Sequence, residues 1–215
     1  MSNVAKVKKP TRKDISTEEK IKAAAKNIFT QKGFAATRTR DIAGEAGINL
    51  ALLNYYFRSK QKLFDIIMLE NFRQFIHGIV VEVVQENAPM EQKLEKIVTA
   101  YIDFISLNPD LPFFILNELR NKPSAITASL NIEISEIRNS FFKQLQQGDK
   151  KSKTPPMEPF HFVANLIGLI IFPFVGKPIL QRVTNVSDAK FNAFMQERKK
   201  LVPVWIKAIM AAKVN

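Results

Sequence analysis

The sequence predicts an all-α protein of about nine helices, and three observations carry that expectation. Apolar residues recur at spacings of three and four along nearly the whole chain. No alternating run of useful strand length, internal repeat or heptad array interrupts them. The composition, 46% apolar and 24% charged with 7 Gly and 11 Pro in 215 residues, is that of a compact chain rather than a disordered or collagen-like one.

The chain opens with MSNVAKVKKPTRKD, residues 1–14, which reads as a basic flexible arm. It lacks the apolar core of a signal peptide, so a cytoplasmic protein is expected. Ser16 and Glu19 then form a capping-box pattern ahead of Ile21, Ala24, Ala25, Ile28 and Phe29, one helix face, and Gly33 supplies the stop. Residues 41–46 make a short second helix ended by Gly47. Asn49 caps a third, reaching about Phe57, and Ser59 caps a long fourth running toward Glu86.

Beyond Pro89, residues 90–107 place Leu94, Ile97, Val98, Tyr101, Ile102 and Ile105 on one face. Pro112 starts a short helix, and residues 124–147 form another through Ile132, Ile134, Ile137, Phe141 and Leu145. Residues 148–159 lack an apolar period and read as a surface loop. Residues 159–176 are apolar apart from His161 and Asn165, long enough to be tested as a membrane span. Glu158, Lys177, Pro173 and Pro178 clip and interrupt that stretch, which favours a buried or interface helix. Ser187 caps the last helix, with Phe191, Phe194, Met195, Leu201, Val202, Trp205, Ile206 and Ile209 on a single buried stripe and a bend at Pro203.

The chemistry available is narrow. There is no Cys, and His77 and His161 alone cannot furnish a zinc site. No nucleophile–base pair or Gly-rich phosphate loop is visible, so neither an enzyme nor a bound cofactor or metal is expected. The net charge of +12 points instead to polyanions. Residues 1–62 hold 14 Lys or Arg against 5 Asp or Glu, so most of the excess sits in the first third. A membrane surface would need the basic residues on an amphipathic helix; here they accompany a short helix, a Gly-centred turn and a second short helix at about residues 38–57. That is the helix-turn-helix layout, whose second helix enters the DNA major groove.

The residues that make this layout, GFAATRTRDIAGEAGINLALLNYYFRSKQKLF at positions 33–64, resemble the N-terminal domain of the tetracycline-repressor (TetR) family of transcriptional regulators. Gly33, Phe34, Thr37, Ile42, Ala43, Ala46, Gly47, Ile48, Tyr55, Phe57, Ser59, Lys60 and Leu63 match in order and spacing. The chain departs from the pattern at Arg38, where the family usually has a Ser or Thr cap, so that Thr37 or Thr39 is left to cap the second helix. It also has Leu50, Ala51 and Leu52 where a Lys is common, Asn54 in place of a frequent Tyr, and Tyr56 in place of a frequent His.

The resemblance implies a homodimer on a near-palindromic double-stranded operator, a helix-turn-helix domain at 15–75 and a helical ligand-binding and dimerisation domain at 76–215. Physical chemistry suggests the roles at the DNA. Leu50, Ala51 or Leu52 can touch a thymine methyl, and Asn54 can pair with adenine, which points to an A/T-containing half-site. Tyr55, Tyr56 and Lys60, with Arg38 and Arg40, are expected on phosphates, and Asn49 turns the third helix's N-terminus toward one. Tyr55 and Tyr56 have core packing as their plainer alternative.

For the second domain the resemblance implies a small-molecule effector. The aromatics Phe72, Phe75, Tyr101, Phe104, Phe113, Phe114, Phe141 and Phe142 are the candidates for an apolar pocket, with His77, Asn117 and Arg120 as nearby polar groups. A largely apolar or aromatic effector is expected. Dimerisation falls to the last two long helices, with Phe162, Leu166, Leu169, Phe191, Phe194 and Trp205 as candidate contacts. The expected function is a repressor released by its effector; the alternative is a ligand-independent DNA-binding adaptor whose C-terminal domain binds another protein.

Overall fold

A computed structural model of the chain describes residues 12–81, 88–121, 123–148 and 156–212, and every regular element among them is helical. The helices are α1 (Arg12–Ala36), α2 (Thr39–Glu45), α3 (Leu50–Tyr56), α4 (Lys60–Ile79), α5 (Met90–Leu107), α6 (Leu111–Asn121), α7 (Pro123–Ser129), α8 (Asn131–Glu136), α9 (Lys143–Gln147), α10 (Pro159–Val175), α11 (Lys177–Thr184) and α12 (Asp188–Ala211). The chain divides into two compact units between Leu69 and Glu70, inside α4, the helix in which the expected boundary at residue 75 also lies. Of the expected basic arm, residues 1–11 lie outside the described residues and 12–14 belong to α1.

The first unit closes on the apolar faces that the spacing predicts. Ile21, Ala25, Ile28 and Phe29 of α1, Ile42 and Ala43 of α2, Leu53 and Phe57 around α3, and Leu63, Phe64 and Ile67 of α4 are all buried. Phe29, Phe34 and Phe64 form one aromatic cluster, with ring centroids 4.7 to 6.1 Å apart. Gly33 breaks α1 with φ 73 and ψ 167, a region open essentially to Gly alone, and the chain then turns into α2.

In the second unit the core lies between α5, α10 and α12. Leu94, Val98 and Ile102 face Phe162 and Ile170, with Val202 and Ile206 completing the layer. Ser187 caps α12 as expected, its Oγ accepting from the Lys190 amide at 3.3 Å. Among the described residues no single helix is long and apolar enough to cross a membrane, and α10 and α11 meet at a 72° bend.

Two expectations need correction here. The helix expected at 124–147 is divided into α7, α8 and α9, with a π-helical turn at Ile137–Phe142 between the last two. The wider turn adds a residue per hydrogen-bonded ring and shifts the register. Phe141 within the turn and Leu145 beyond it are buried, whereas upstream Ile132 is 71% exposed and Glu133 takes the inward position beside His77, 3.4 Å away. The single stripe expected on α12 is in fact two faces. Phe191, Met195, Val202, Ile206 and Met210 fill the core, while Phe194, Leu201, Trp205 and Ile209 remain exposed.

Candidate nucleic-acid interface and ligand cavity

The turn between α2 and α3 is built by backbone geometry. Gly47 adopts φ +65, the Ile48 amide donates to the Ala43 carbonyl at 3.0 Å and the Gly47 amide to that of Gly44 at 3.1 Å. These two bonds make a Schellman motif, which satisfies the last carbonyls of α2. A Cβ on Gly47 would meet nothing within 4 Å, so the cost of a side chain there is conformational, not steric crowding by neighbours. Gly47→Ala is expected to lower the stability of the first unit by roughly 1 to 2 kcal/mol, read from thermal unfolding.

Both helix starts are capped. Asn49 Oδ1 accepts from the Leu52 amide at 2.8 Å and so holds the first turn of α3. At α2 neither Thr37 nor Thr39 takes the role left open by Arg38. Thr37 is buried and its hydroxyl donates backward to the Gly33 carbonyl at 2.7 Å, and Thr39 is already inside the helix. The Asp41 carboxylate serves instead, accepting from the Arg38 amide at 3.2 Å and from Lys32 Nζ at 3.1 Å. The Lys32 bond, then the amide, hold the Asp41 carboxyl below the usual carboxylate range.

With Leu53 and Phe57 turned inward, α3 shows solvent a stripe at the opposite spacing. Ala51, Asn54 and Tyr55 are exposed, Tyr55 to 78%, and Arg58, just beyond the helix, is exposed as well. Leu50, Leu52 and Tyr56 flank it half-buried, and Arg38 and Arg40 are exposed on and before α2. Tyr55 and Tyr56 meet edge to face at 5.4 Å. Arg58 was not among the residues anticipated, although it lies two residues beyond the end of α3 and is exposed.

Lys60 is placed differently from its expected role. Its ammonium donates to the carbonyls of Phe34 and Thr37 at 2.8 and 2.9 Å and lies 4.2 Å over the Phe34 ring. It ties the end of α1 to the start of α4, and two of its three ammonium hydrogens are committed to those carbonyls.

The second unit holds a cavity of about 220 Å³, lined from α4 by Phe72 and Phe75, from α5 by Tyr101, Phe104 and Ile105, and by aliphatic residues of α6, α7 and α10. Four of the eight anticipated aromatics are therefore on its wall. The other four are elsewhere: Phe141 packs on Phe162 in the core with Phe142 beside it, Phe114 is buried outside the cavity, and Phe113 is 53% exposed. The aliphatic wall, including Ile115, Leu116, Leu119 and Ile167, has no chemical mark in the sequence that separates it from core.

The anticipated dimer contacts divide the same way. Phe162, Leu166 and Phe191 are core, Leu169 is half-buried, and Phe194 and Trp205 are 37% exposed.

A capped helix on a Gly-hinged turn, followed by a separate helical unit with an apolar cavity, is the arrangement of a DNA-binding transcriptional regulator. Residues 21–67 match the family model described as bacterial regulatory proteins, tetR family. The match covers the helix-turn-helix of the first unit, which is similar to the DNA-binding part of that family's transcriptional regulators. It is 22% identical over 201 residues to the probable HTH-type transcriptional regulator YttP of Bacillus subtilis, covering 91% of this chain and 94% of that one. Its fold is similar to that of a TetR/AcrR-family regulator from Thermobifida fusca, with TM-score 0.62, 16% identity and coverage of 87% and 97%. It is also similar to FadR from Bacillus subtilis, a structure in complex with stearoyl-CoA, with TM-score 0.53, 16% identity and coverage of 86% and 96%.

Proposed function

We propose that the chain is a homodimeric repressor that reads a near-palindromic operator with α3 and is released when a small apolar molecule occupies the cavity of the second unit. The observation that carries this reading is the outward stripe of Ala51, Asn54 and Tyr55, presented by a helix whose opposite side buries Leu53 in the core, with Arg58 exposed just beyond it. Asn54 is the base-reading candidate, paired with adenine; Ala51 supplies apolar contact for a thymine methyl. Tyr55, Arg38, Arg40 and Arg58 set the register on phosphates.

The exposed apolar faces of α10 and α12 support pairing with a second copy. Val163, Ile167 and Phe172 on one helix and Leu201, Val204, Trp205 and Ile209 on the other stand 37 to 61% exposed. A two-fold axis through them would set two heads on half-sites ~34 to 36 Å apart. An apolar effector agrees with the cavity's wall and with a fold neighbour that binds an acyl thioester. The ligand acts only through its different affinity for DNA-fitting and DNA-rejecting states. Helix α4 is the element placed to transmit that difference, since it carries Phe72 and Phe75 of the cavity and Leu63 and Phe64 of the first unit's core.

Site selection on the purified protein, followed by a salt titration of the selected duplex, tests the reading. The expected result is a two-half-site, A/T-containing sequence whose affinity falls about 10³- to 10⁵-fold between 50 and 200 mM salt, as 6 to 10 phosphate contacts require. G/C-only half-sites would reject the Asn54 assignment, and unselective, salt-insensitive binding the whole proposal. Operator binding that ignores every apolar probe would favour the ligand-independent adaptor.

A further inference from the structure

Helices α10 and α12 each carry an internal proline, Pro173 and Pro203. A proline has no amide hydrogen, so the carbonyl four residues before it loses its helical donor. In α10 that carbonyl belongs to Leu169. Arg198 of α12 supplies a replacement, its Nη2 donating to the Leu169 oxygen at 2.6 Å. A bond from a charged guanidinium is stronger than one between neutral groups.

The same guanidinium lies over the Trp205 ring, 5.0 Å from its centroid. The two residues are seven apart, two turns along one side of α12, and Pro203 falls between them. Their contact therefore braces the stretch in which α12 lacks a helix bond of its own. Arg198 is half-buried, and that burial lowers its pKa from the ordinary guanidinium value. A cation partly withdrawn from water holds an aromatic face more strongly than an exposed one. Its Nε is buried without a hydrogen-bond partner among the described residues. An unmade bond of this kind is destabilising, so the two groups Arg198 joins set its position, not the saturation of its own donors.

What Arg198 holds in place is Trp205, the only tryptophan of the chain, 37% exposed. Leu201, Val204 and Ile209 are exposed on the same helix at neighbouring turns. Tryptophan is among the residues that most often carry the binding energy of an interface, above all when it is held rigid within an apolar patch. Such a patch fits a second copy of the chain, because under a two-fold axis each copy offers the other the same apolar residues.

We propose, on the basis of the homodimer reading above, that Trp205 anchors the contact between the two copies and that Arg198 is its positioning residue, fixed on one side by the Leu169 carbonyl and holding the indole on the other. Loss of Arg198 leaves the apolar surface in place but lets its anchor move.

The test is sedimentation of fluorescently labelled full-length protein, diluted until the dimer dissociates, for the wild type, Trp205→Ala, Arg198→Met and Pro173→Ala with Arg198→Met. Thermal unfolding followed by circular dichroism is measured on each. Trp205→Ala is expected to weaken the dimer by about 30-fold or more, and Arg198→Met by about tenfold with a lower unfolding temperature. In the double variant, residue 173 regains an amide for the Leu169 carbonyl, so the unfolding temperature should recover while the dimer stays about tenfold weaker. Wild-type dimer affinity in Trp205→Ala or in Arg198→Met would overturn the proposal. So would recovery of wild-type affinity in the double variant, since Arg198 would then serve only to satisfy the carbonyl. A wild type that is monomeric at every concentration would instead reject the homodimer reading itself, and this assignment with it.

Discussion

Leu53→Ala is expected to unfold the first unit at 37 °C and abolish operator binding while the helices of the second unit persist. Leu53 is completely buried on the inner face of α3. Truncating such a leucine costs about 2 to 5 kcal/mol, because the transfer energy is lost and the site collapses only partly. A core of this size, in a unit ending at Leu69, rarely supplies more than about 3 to 5 kcal/mol in total. The loss therefore approaches the whole stability of the unit. Far-UV circular dichroism should show a partial loss of helix, and urea titration an early transition absent from the wild type. A single late transition with intact DNA binding would mean that the first unit draws its stability from elsewhere.

The paired substitution Leu201→Glu with Ile209→Glu is expected to give a folded monomer. The two residues are 40% and 38% exposed and lie outside the core of α12, so the charges can be hydrated in the isolated chain. Across a two-fold axis each would be duplicated and buried near a like charge. Light scattering coupled to gel filtration should then report one chain, and affinity for a full palindrome should drop to that for a half-site. The same substitutions leaving a dimer would move the interface off this face of α12.

The helix-turn-helix was legible because its signals are local. Gly47, Asn49, Leu53 and Phe57 lie within a few residues of the groups they organise, and the fold places each in the role its chemistry suggests: left-handed hinge, cap and core. Lys60 was not legible, because its carbonyl partners at Phe34 and Thr37 are 26 and 23 residues away and a lysine's sequence context does not show where its ammonium ends. In the second unit, periodicity located helices without sorting their faces. Helix α12 is apolar on two sides, and spacing alone merges Phe191 and Met195, which are core, with Phe194 and Leu201, which are not. The cavity was half legible for a related reason. Aromatics stand out in a sequence, so Phe72, Phe75, Tyr101 and Phe104 were found, but much of the wall is Ile and Leu, residues with the same appearance whether they line a space or fill one.

The two carbonyls that hold Lys60 bear on how strongly the protein responds to ionic strength. Formal charge and effective charge diverge in the first unit. Lys22 is paired with Glu19 and Lys32 with Asp41, as Lys60 is held within the protein. Counterions are released only by cations that come to lie against phosphate. A prediction of salt sensitivity made by counting basic residues would thus be too steep, and the arginines at 38, 40 and 58 are among the exposed cations of the first unit that such a count should keep.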